Sequence, residues 1–260
     1  MTTKNIALER AENVATITMA RPEKHNALTA EMWRGLRTAF ETVGADGSVR
    51  VVVLRGAGSR AFCVGADIGE FEQTRADKTQ AVSYAEFVHG SVRAIQDCPH
   101  PTIAAIEGLC VGGGVELAAA CDLRFASSSS RFGVPIKRLG LTVDYPELDG
   151  LKRLVGASNA LEILYEGRVF GAEEALQKGL VNRVVADAAF GEELAATVGR
   201  IASGAPLVAR WHKLMVKRLE EPRSVTPEER LQPLEVFDSE DYRIGTRAFL
   251  EKRDPVFVGR

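Results

Sequence analysis

Ile103-Ala104-Ala105-Ile106-Glu107-Gly108-Leu109-Cys110-Val111-Gly112-Gly113-Gly114-Val115-Glu116-Leu117 runs from a short apolar segment, through three glycines, into a second apolar segment. The first part reads as a buried strand. The last part, Val115 to Cys121, is small and apolar apart from Glu116 and reads as a buried helix. Glycine permits positive φ and lets another chain or a ligand approach the backbone closely. The first N–H groups of a helix have no partner inside it and lie at its positive dipole end. A strand, a glycine corner and a helix start therefore make a seat for negative charge or a polarised carbonyl. Glu116 sits about one turn into that helix, between Val115 and Leu117. A carboxyl group there is either a buried structural acceptor or an acid/base with a raised pKa.

Working outward, Ala61-Phe62-Cys63-Val64-Gly65-Ala66-Asp67-Ile68 follows the strand-like Val51-Val52-Val53-Leu54-Arg55-Gly56. Again a strand leads into a corner of small residues and then toward a helix. Two such corners side by side offer two backbone N–H groups to one oxygen, which is the geometry of an oxyanion hole.

At 260 residues the chain can bury a sizeable core, in one large domain or a domain with an appendage. Charged residues make up 26% and the net charge is −2, which argues against general attraction to nucleic acid. No apolar run approaches the roughly 18 residues of a membrane-spanning helix, and the N-terminus lacks the apolar centre of a secretory signal. Cys63, Cys98, Cys110 and Cys121 lack metal-type spacing, and His25, His89, His100 and His212 are scattered without a zinc pattern. The expectation is a cytoplasmic protein with reduced thiols, no metal, no membrane and no nucleic-acid partner.

In chain order, Ile6–Arg10 and Val14–Met19 read as a strand hairpin, and 21–28 reads as a loop. Thr29 can cap a helix carrying Trp33, Leu36, Phe40 and Val43 at helical spacing. Residues 70–80 are highly polar and read as a mobile surface segment, a lid being the alternative. Tyr84, Phe87, Val88, Val92 and Ile95 mark an amphipathic helix that stops before Pro99. A strand at 122–126 and a serine turn at 127–130 follow the central corner, and a loop runs on to Gly150. From Gly156 onward the pattern is helical, interrupted by one strand at 180–185. Helices fit 159–165, 172–178, 192–202, 206–219, 227–237 and 241–251. This alternation predicts an α/β core with a helical C-terminal region, divided as 1–195 and 196–260. A helical tail that cannot bury itself alone points to a homo-oligomer.

Several glycine motifs can be set aside. Leu117 occupies the third glycine position of a dinucleotide fingerprint, no phosphate loop ending in Gly-Lys-Ser/Thr is present, and no Gly-x-Ser-x-Gly elbow occurs. The corners instead resemble those of the enoyl-CoA hydratase/isomerase, or crotonase, family. Arg21-Pro22-Glu23-Lys24-His25-Asn26-Ala27-Leu28 is similar to its coenzyme A loop, and 61–68 and 112–118 are similar to its two oxyanion segments. Phe132-Gly133-Val134-Pro135 matches the segment that follows, and 245–253 looks like its C-terminal helix. The resemblance implies a fold of repeated ββα turns with a helical trimerisation region, assembled as trimers or pairs of trimers. It implies an acyl-CoA substrate and no cofactor. The Ala66 and Gly113 N–H groups would hold the thioester oxygen, with Glu116 as acid/base. Lys24, His25, Ala27, Val64, Ala66, Asp67, Ile68 and Gly112 would line the coenzyme A path, and Phe249 and Lys252 would reach a coenzyme A on a neighbouring subunit.

One departure bears on the reaction. Hydratases of that family use two glutamates. Glu116 stands where the first belongs, but Ile136 follows Pro135 where the second belongs. The next loop, Leu141-Thr142-Val143-Asp144-Tyr145-Pro146-Glu147-Leu148-Asp149-Gly150, also departs from the family's glycine-rich run. Three expectations follow. Glu116 works alone as a hydratase or lyase acid, Asp144 or Glu147 supplies the second acid, or Glu116 shuttles a proton as a double-bond isomerase. Decarboxylation, thioester hydrolysis and a non-catalytic acyl-CoA-binding role stay open beside these.

Overall fold

The computed structural model describes residues 5–260; residues 1–4 of the expected 1–195 unit lie outside the described residues. β1 (Ile6–Ala11) and β2 (Val14–Met19) form the expected hairpin, antiparallel from Ile6 opposite Met19 to Ala11 opposite Val14. α1 (Ala30–Gly44) begins where the Met32 N–H donates to the Thr29 hydroxyl, and Trp33, Leu36, Phe40 and Val43 are all buried on one face.

Three strand–strand–helix turns follow. The first is β3 (Val51–Gly56) and β4 (Ala61–Cys63), then the single-turn α2 (Phe71–Thr74) and the long α3 (Lys78–Asp97). The second is β5 (Thr102–Ile106), β6 (Leu109–Val111) and α4 (Gly113–Ala120). The third is β7 (Leu123–Ser127), β8 (Arg131–Gly133) and α5 (Tyr145–Glu166). β9 (Phe170–Gly171), α6 (Ala172–Gln177) and β10 (Arg183–Val185) lead into α7 (Phe190–Ala202), α8 (Pro206–Leu219), α9 (Pro227–Leu231) and α10 (Glu240–Leu250).

The first strand of each turn enters a six-stranded sheet ordered β1-β2-β3-β5-β7-β10, parallel apart from the opening hairpin. The second enters a four-stranded sheet ordered β4-β6-β8-β9. Both faces of the sheet's centre are covered, so β3 and β5 are buried almost throughout, whereas β2 nearer the edge alternates in burial and β1 is largely uncovered. Val52, Leu54, Ala104, Ile106 and Ala126 face the main core. Val51, Val53, Ile103, Ala105 and Phe125 face the other way, against Phe190 and Ala202 of α7. Because β4, β6 and β8 run parallel and in neighbouring positions, the corners that follow them stack at one end of the small sheet.

Some expectations change. The small sheet escaped the sequence reading because its strands have three residues or fewer, too short for alternation to register. The segment 70–80 is largely helical rather than a loop, containing α2 and the first turn of α3, which Asp77 caps by accepting from the Gln80 N–H. The loop expected to reach Gly150 ends at Asp144, which accepts from the Tyr145 N–H and starts α5 with Pro146 in its first turn. The helix expected over 227–237 stops at Leu231 and continues as a 3₁₀ helix, Gln232–Asp238, with Pro233 in its first turn. The division at 195/196 falls within α7. Among the described residues no helix is long and apolar enough to cross a membrane.

Candidate active site

The parallel pairing of β4 with β6 sets the two sequence corners against each other. Leu28 bridges to the first of them, its N–H donating to Gly65 O while its own oxygen accepts from the Asp67 N–H, both at 2.8 Å. Those two bonds flank Ala66, whose N–H faces away from Leu28. The second corner turns at Gly112, with φ +54° and ψ −122°, a conformation essentially reserved for glycine. Gly113 then opens α4. The corners touch: a Cβ on Gly65, itself at φ +89°, would sit 2.9 Å from the Gly113 nitrogen. Neither the Ala66 nor the Gly113 N–H finds an acceptor among the described residues. Both groups line one cavity of ≈ 320 Å³. Two adjacent donors without partners, one at a helix start, form a receptor for a single oxygen that gains negative charge.

Glu116 lies on the wall of the same cavity, one turn after Gly113. Burial pushes its carboxyl up to about 8, the charge of Glu147 pushes in the same direction, and Arg75 opposes both. A carboxyl group that exchanges its proton near neutrality is suited to moving one during a reaction. Cys63 lies just beneath the corner and accepts from the Gly65 N–H at 3.3 Å. Burial pushes its thiol up to about 12, so it stays protonated and is no nucleophile at neutral pH.

The remaining wall is mainly apolar. Trp33, Phe71, Tyr84 and Val88 close one side, and Ile136, Leu139 and Leu141 contribute another. The Trp33 indole N–H donates to the Tyr84 hydroxyl at 2.8 Å, which fixes α1 against α3 beside the cavity. Phe71 and Arg75 come from the 70–80 segment, expected to be a surface stretch with a lid over a site as the alternative, and both line the cavity. Ile136 also faces the cavity, so the side chain that replaces the expected glutamate adds apolar surface there.

Neither Asp144 nor Glu147 lines the cavity. Asp144 pairs with His89 of α3, Nε2 to Oδ2 at 3.2 Å. Glu147 is 4% exposed, with Oε2 at 3.7 Å from the same Nε2 and Oε1 without a hydrogen-bond partner among the described residues. Burial raises its pKa, and His89 offsets part of that effect. One turn further along each helix, the position of a Cβ on Gly150 lies 3.8 Å from Ala119 Cβ, so α5 and α4 pack with Glu147 and Glu116 at matching positions. His89 had no role in the sequence reading; it stands 58 residues from Glu147 (147 − 89), and only the packing of α3 on α5 unites them.

Of the expected coenzyme A residues, Val64, Ala66, Ile68 and Gly112 line the cavity. Lys24, His25, Ala27 and Asp67 lie beside it rather than on its wall. Asp67 accepts from Arg21 Nη2 and from the Gly69 N–H, each at 3.0 Å, while Arg21 Nη1 donates to Ala27 O at 2.8 Å. Arg21 thereby ties the 21–28 loop to the first corner. Lys24 and His25 are exposed at the rim of that loop, His25 with φ +51°. Phe249 and Lys252, at the end of α10, are exposed and outside this cavity.

The family described as enoyl-CoA hydratase/isomerase matches residues 9–260. A crotonyl-CoA hydratase from Syntrophomonas wolfei is 33% identical over 266 aligned positions, covering 100% of both chains. A short-chain-enoyl-CoA hydratase from Clostridium acetobutylicum is 32% identical, covering 97% of each. The crystal structure of an enoyl-CoA hydratase/carnithine racemase from Magnetospirillum magneticum superposes with TM-score 0.98 at 48% identity, covering 100% of this chain and 97% of that one.

Proposed function

The chain belongs to the enoyl-CoA hydratase/isomerase family, and from that premise we propose that it adds water reversibly to the double bond of a 2-enoyl-CoA. The observation that carries this reading is the meeting of two unpartnered corner N–H groups with Glu116 on one cavity wall. The Ala66 and Gly113 N–H groups take the thioester oxygen. The Glu116 carboxylate accepts a proton from water as the water oxygen bonds to C3. The C2–C3 π pair shifts toward the carbonyl, whose oxygen becomes the enolate oxygen under the two donors. Glu116 then returns the proton to C2, giving a 3-hydroxyacyl-CoA with every atom of the water retained. Removing one donor from such a site typically costs roughly 2.7–4 kcal/mol of barrier.

Glu147 acts through Glu116 in this account. Its charge holds the Glu116 proton more tightly; His89 offsets part of the charge on Glu147, the like charge of Asp144 opposes that, and Asp144 itself pairs with His89. Asp144 and Glu147 are therefore positioning residues, and the second acid of a two-glutamate hydratase is dispensed with. Lys24, His25 and Ala27 are assigned to the coenzyme A path at the rim, with Val64, Asp67, Ile68 and Gly112. Coenzyme A thioester is the substrate, and the reaction draws on no further cofactor. Exposed apolar side chains on α8 to α10, among them Val216, Leu219, Phe249 and Leu250, support a homo-oligomer, a trimer or a pair of trimers, with Phe249 and Lys252 serving a neighbouring subunit. Four free cysteines, all buried, suit a reducing cytoplasm.

One observation favours a second reading. Glu116 is the sole carboxylate on the cavity wall among the described residues, which suits an isomerase that carries one proton along the acyl chain. Mass spectrometry of the products from a (2E)-enoyl-CoA and a 3-enoyl-CoA, read beside the conjugated enoyl-thioester absorbance that appears or disappears as the double bond moves, separates the two. Hydration adds the mass of one water, isomerisation leaves the mass unaltered and moves the double bond, and a binding protein returns both thioesters untouched.

A further inference from the structure

Two arginines line the cavity that holds Glu116: Arg138, which is exposed, and Arg75, which is held between aromatic faces. The Arg75 guanidinium carbon lies 4.0 Å from the Phe71 ring centroid and 3.9 Å from that of Tyr84. The two rings fix the plane of the fork, and Tyr84 is itself held by Trp33. Nε and Nη2 are both buried, and neither has a hydrogen-bond partner among the described residues. These two atoms form one edge of the guanidinium, the edge that takes a carboxylate in a bidentate pair.

Such an arrangement is costly in a protein interior unless something is received there. The buried Arg124 shows the ordinary outcome in this chain. Its Nε, Nη1 and Nη2 donate to Leu180 O, Cys121 O and Asn182 Oδ1 at 2.7–3.0 Å. For Arg75 the neighbouring acid Glu70 is already engaged, accepting from the Ala30 N–H at 2.8 Å. Glu116 shares the cavity wall without forming an ion pair with it. The wall here is the acyl side, shared with Glu116 and Ile136, whereas the expected coenzyme A residues Lys24 and His25 lie at the rim.

We infer that Arg75 receives an anionic group at the distal end of the acyl chain, so that the preferred substrate is an enoyl-CoA bearing a second carboxylate. This rests on the acyl-CoA reading of the site. A planar carboxylate satisfies both orphaned donors at once and brings one negative charge to one unpaired positive charge. A terminal methyl group would leave the fork unpaired, and a hydroxyl would engage it incompletely. Ile136 fits the same picture, because a glutamate at that position would add a competing negative charge near a dicarboxylic substrate.

The test compares affinities of saturated thioesters, which bind without turning over. Succinyl-, glutaryl- and adipyl-CoA are each measured by calorimetry against the neutral thioester in which an isopropyl group replaces the carboxylate, with free coenzyme A as a third ligand. The wild type should bind at least one dicarboxylic thioester tighter than its neutral match by about 10- to 100-fold. In Arg75→Met that ratio should fall toward one, and in Arg75→Lys it should fall part of the way, since the charge stays while the fork is lost. Equal affinities in the wild type for every pair would overturn the inference. So would an Arg75→Met that weakens free coenzyme A and both thioesters alike, which would assign Arg75 to the coenzyme A phosphates or to packing of Phe71 and Tyr84. If Arg75→Met does not fold, the wild-type ratio and Arg75→Lys decide. No binding of any thioester would instead contradict the acyl-CoA reading itself, and absent turnover with the ratio intact would contradict hydration alone.

Discussion

Glu116 shows how the burial that suits a side chain to proton transfer comes at the expense of the fold. Its folded pKa of about 8 stands well above the roughly 4.3 of an unfolded glutamate. Between those values the folded chain holds a proton that the unfolded chain has lost, so this group's contribution to stability falls as pH rises through that window. Glu116→Gln, which cannot ionise, should therefore match the wild type in thermal unfolding near pH 4 and exceed it at pH 8 to 9. As the base in hydration Glu116 must be ionised, so kcat/KM should rise with pH to a plateau above about 8. Glu147→Gln removes the like charge and should move that limb to lower pH, while Arg75→Met removes the opposite charge and should move it higher. A pH–rate profile of the three proteins checks the order. Glu116 was legible in the sequence because a lone carboxyl stands among apolar helix residues beside glycines. Arg75 was not, since one arginine in a polar run carries no sign of the two rings that hold it.

The two corners work as elements because neighbouring parallel strands deliver them to one place. Gly65 is the tightest point, with its Cβ position 2.9 Å from the Gly113 nitrogen. Gly65→Ala should obstruct the donor pair, lowering kcat by on the order of 10²–10³, and its positive φ adds about 1–2 kcal/mol of destabilisation. Steady-state kinetics beside a denaturant titration measure both effects. Both corners were readable because a strand, small residues and a helix start leave a local signature. The small sheet that unites them was not, because strands such as Leu109–Val111 are too short for a period to show. The start of α5 was hidden by expecting a continuous loop, although Asp144, Pro146 and Glu147 in succession are an ordinary helix opening. The pairing of His89 with Glu147 depends on α3 meeting α5, a long-range contact with no local trace.

For the whole molecule, the α8 to α10 region leaves large apolar side chains uncovered, with Phe249 84% and Leu250 81% exposed. Patches of that kind in a single chain mark surfaces that another chain covers. Light scattering should accordingly give a mass that is a multiple of the 28.2 kDa chain, and the paired substitution Phe249→Asp with Leu250→Asp should shift it toward the monomer. A monomeric wild type would contradict the oligomer reading and the assignment of Phe249 and Lys252 to a neighbour's site. The alternation of strands and helices made the α/β core and the helical end legible from sequence. The arrangement of subunits was not, because an exposed leucine and a core leucine look alike until the helices are placed.

In the proposed reaction two corner N–H groups and Glu116 carry the chemistry. Steady-state turnover of crotonyl-CoA, read as loss of the enoyl-thioester absorbance, tests it most directly in the wild type and Glu116→Gln. Saturable hydration is expected of the wild type, with a fall of about 10²–10⁴-fold in kcat for the variant. Turnover in Glu116→Gln at the wild-type rate would contradict that role for Glu116.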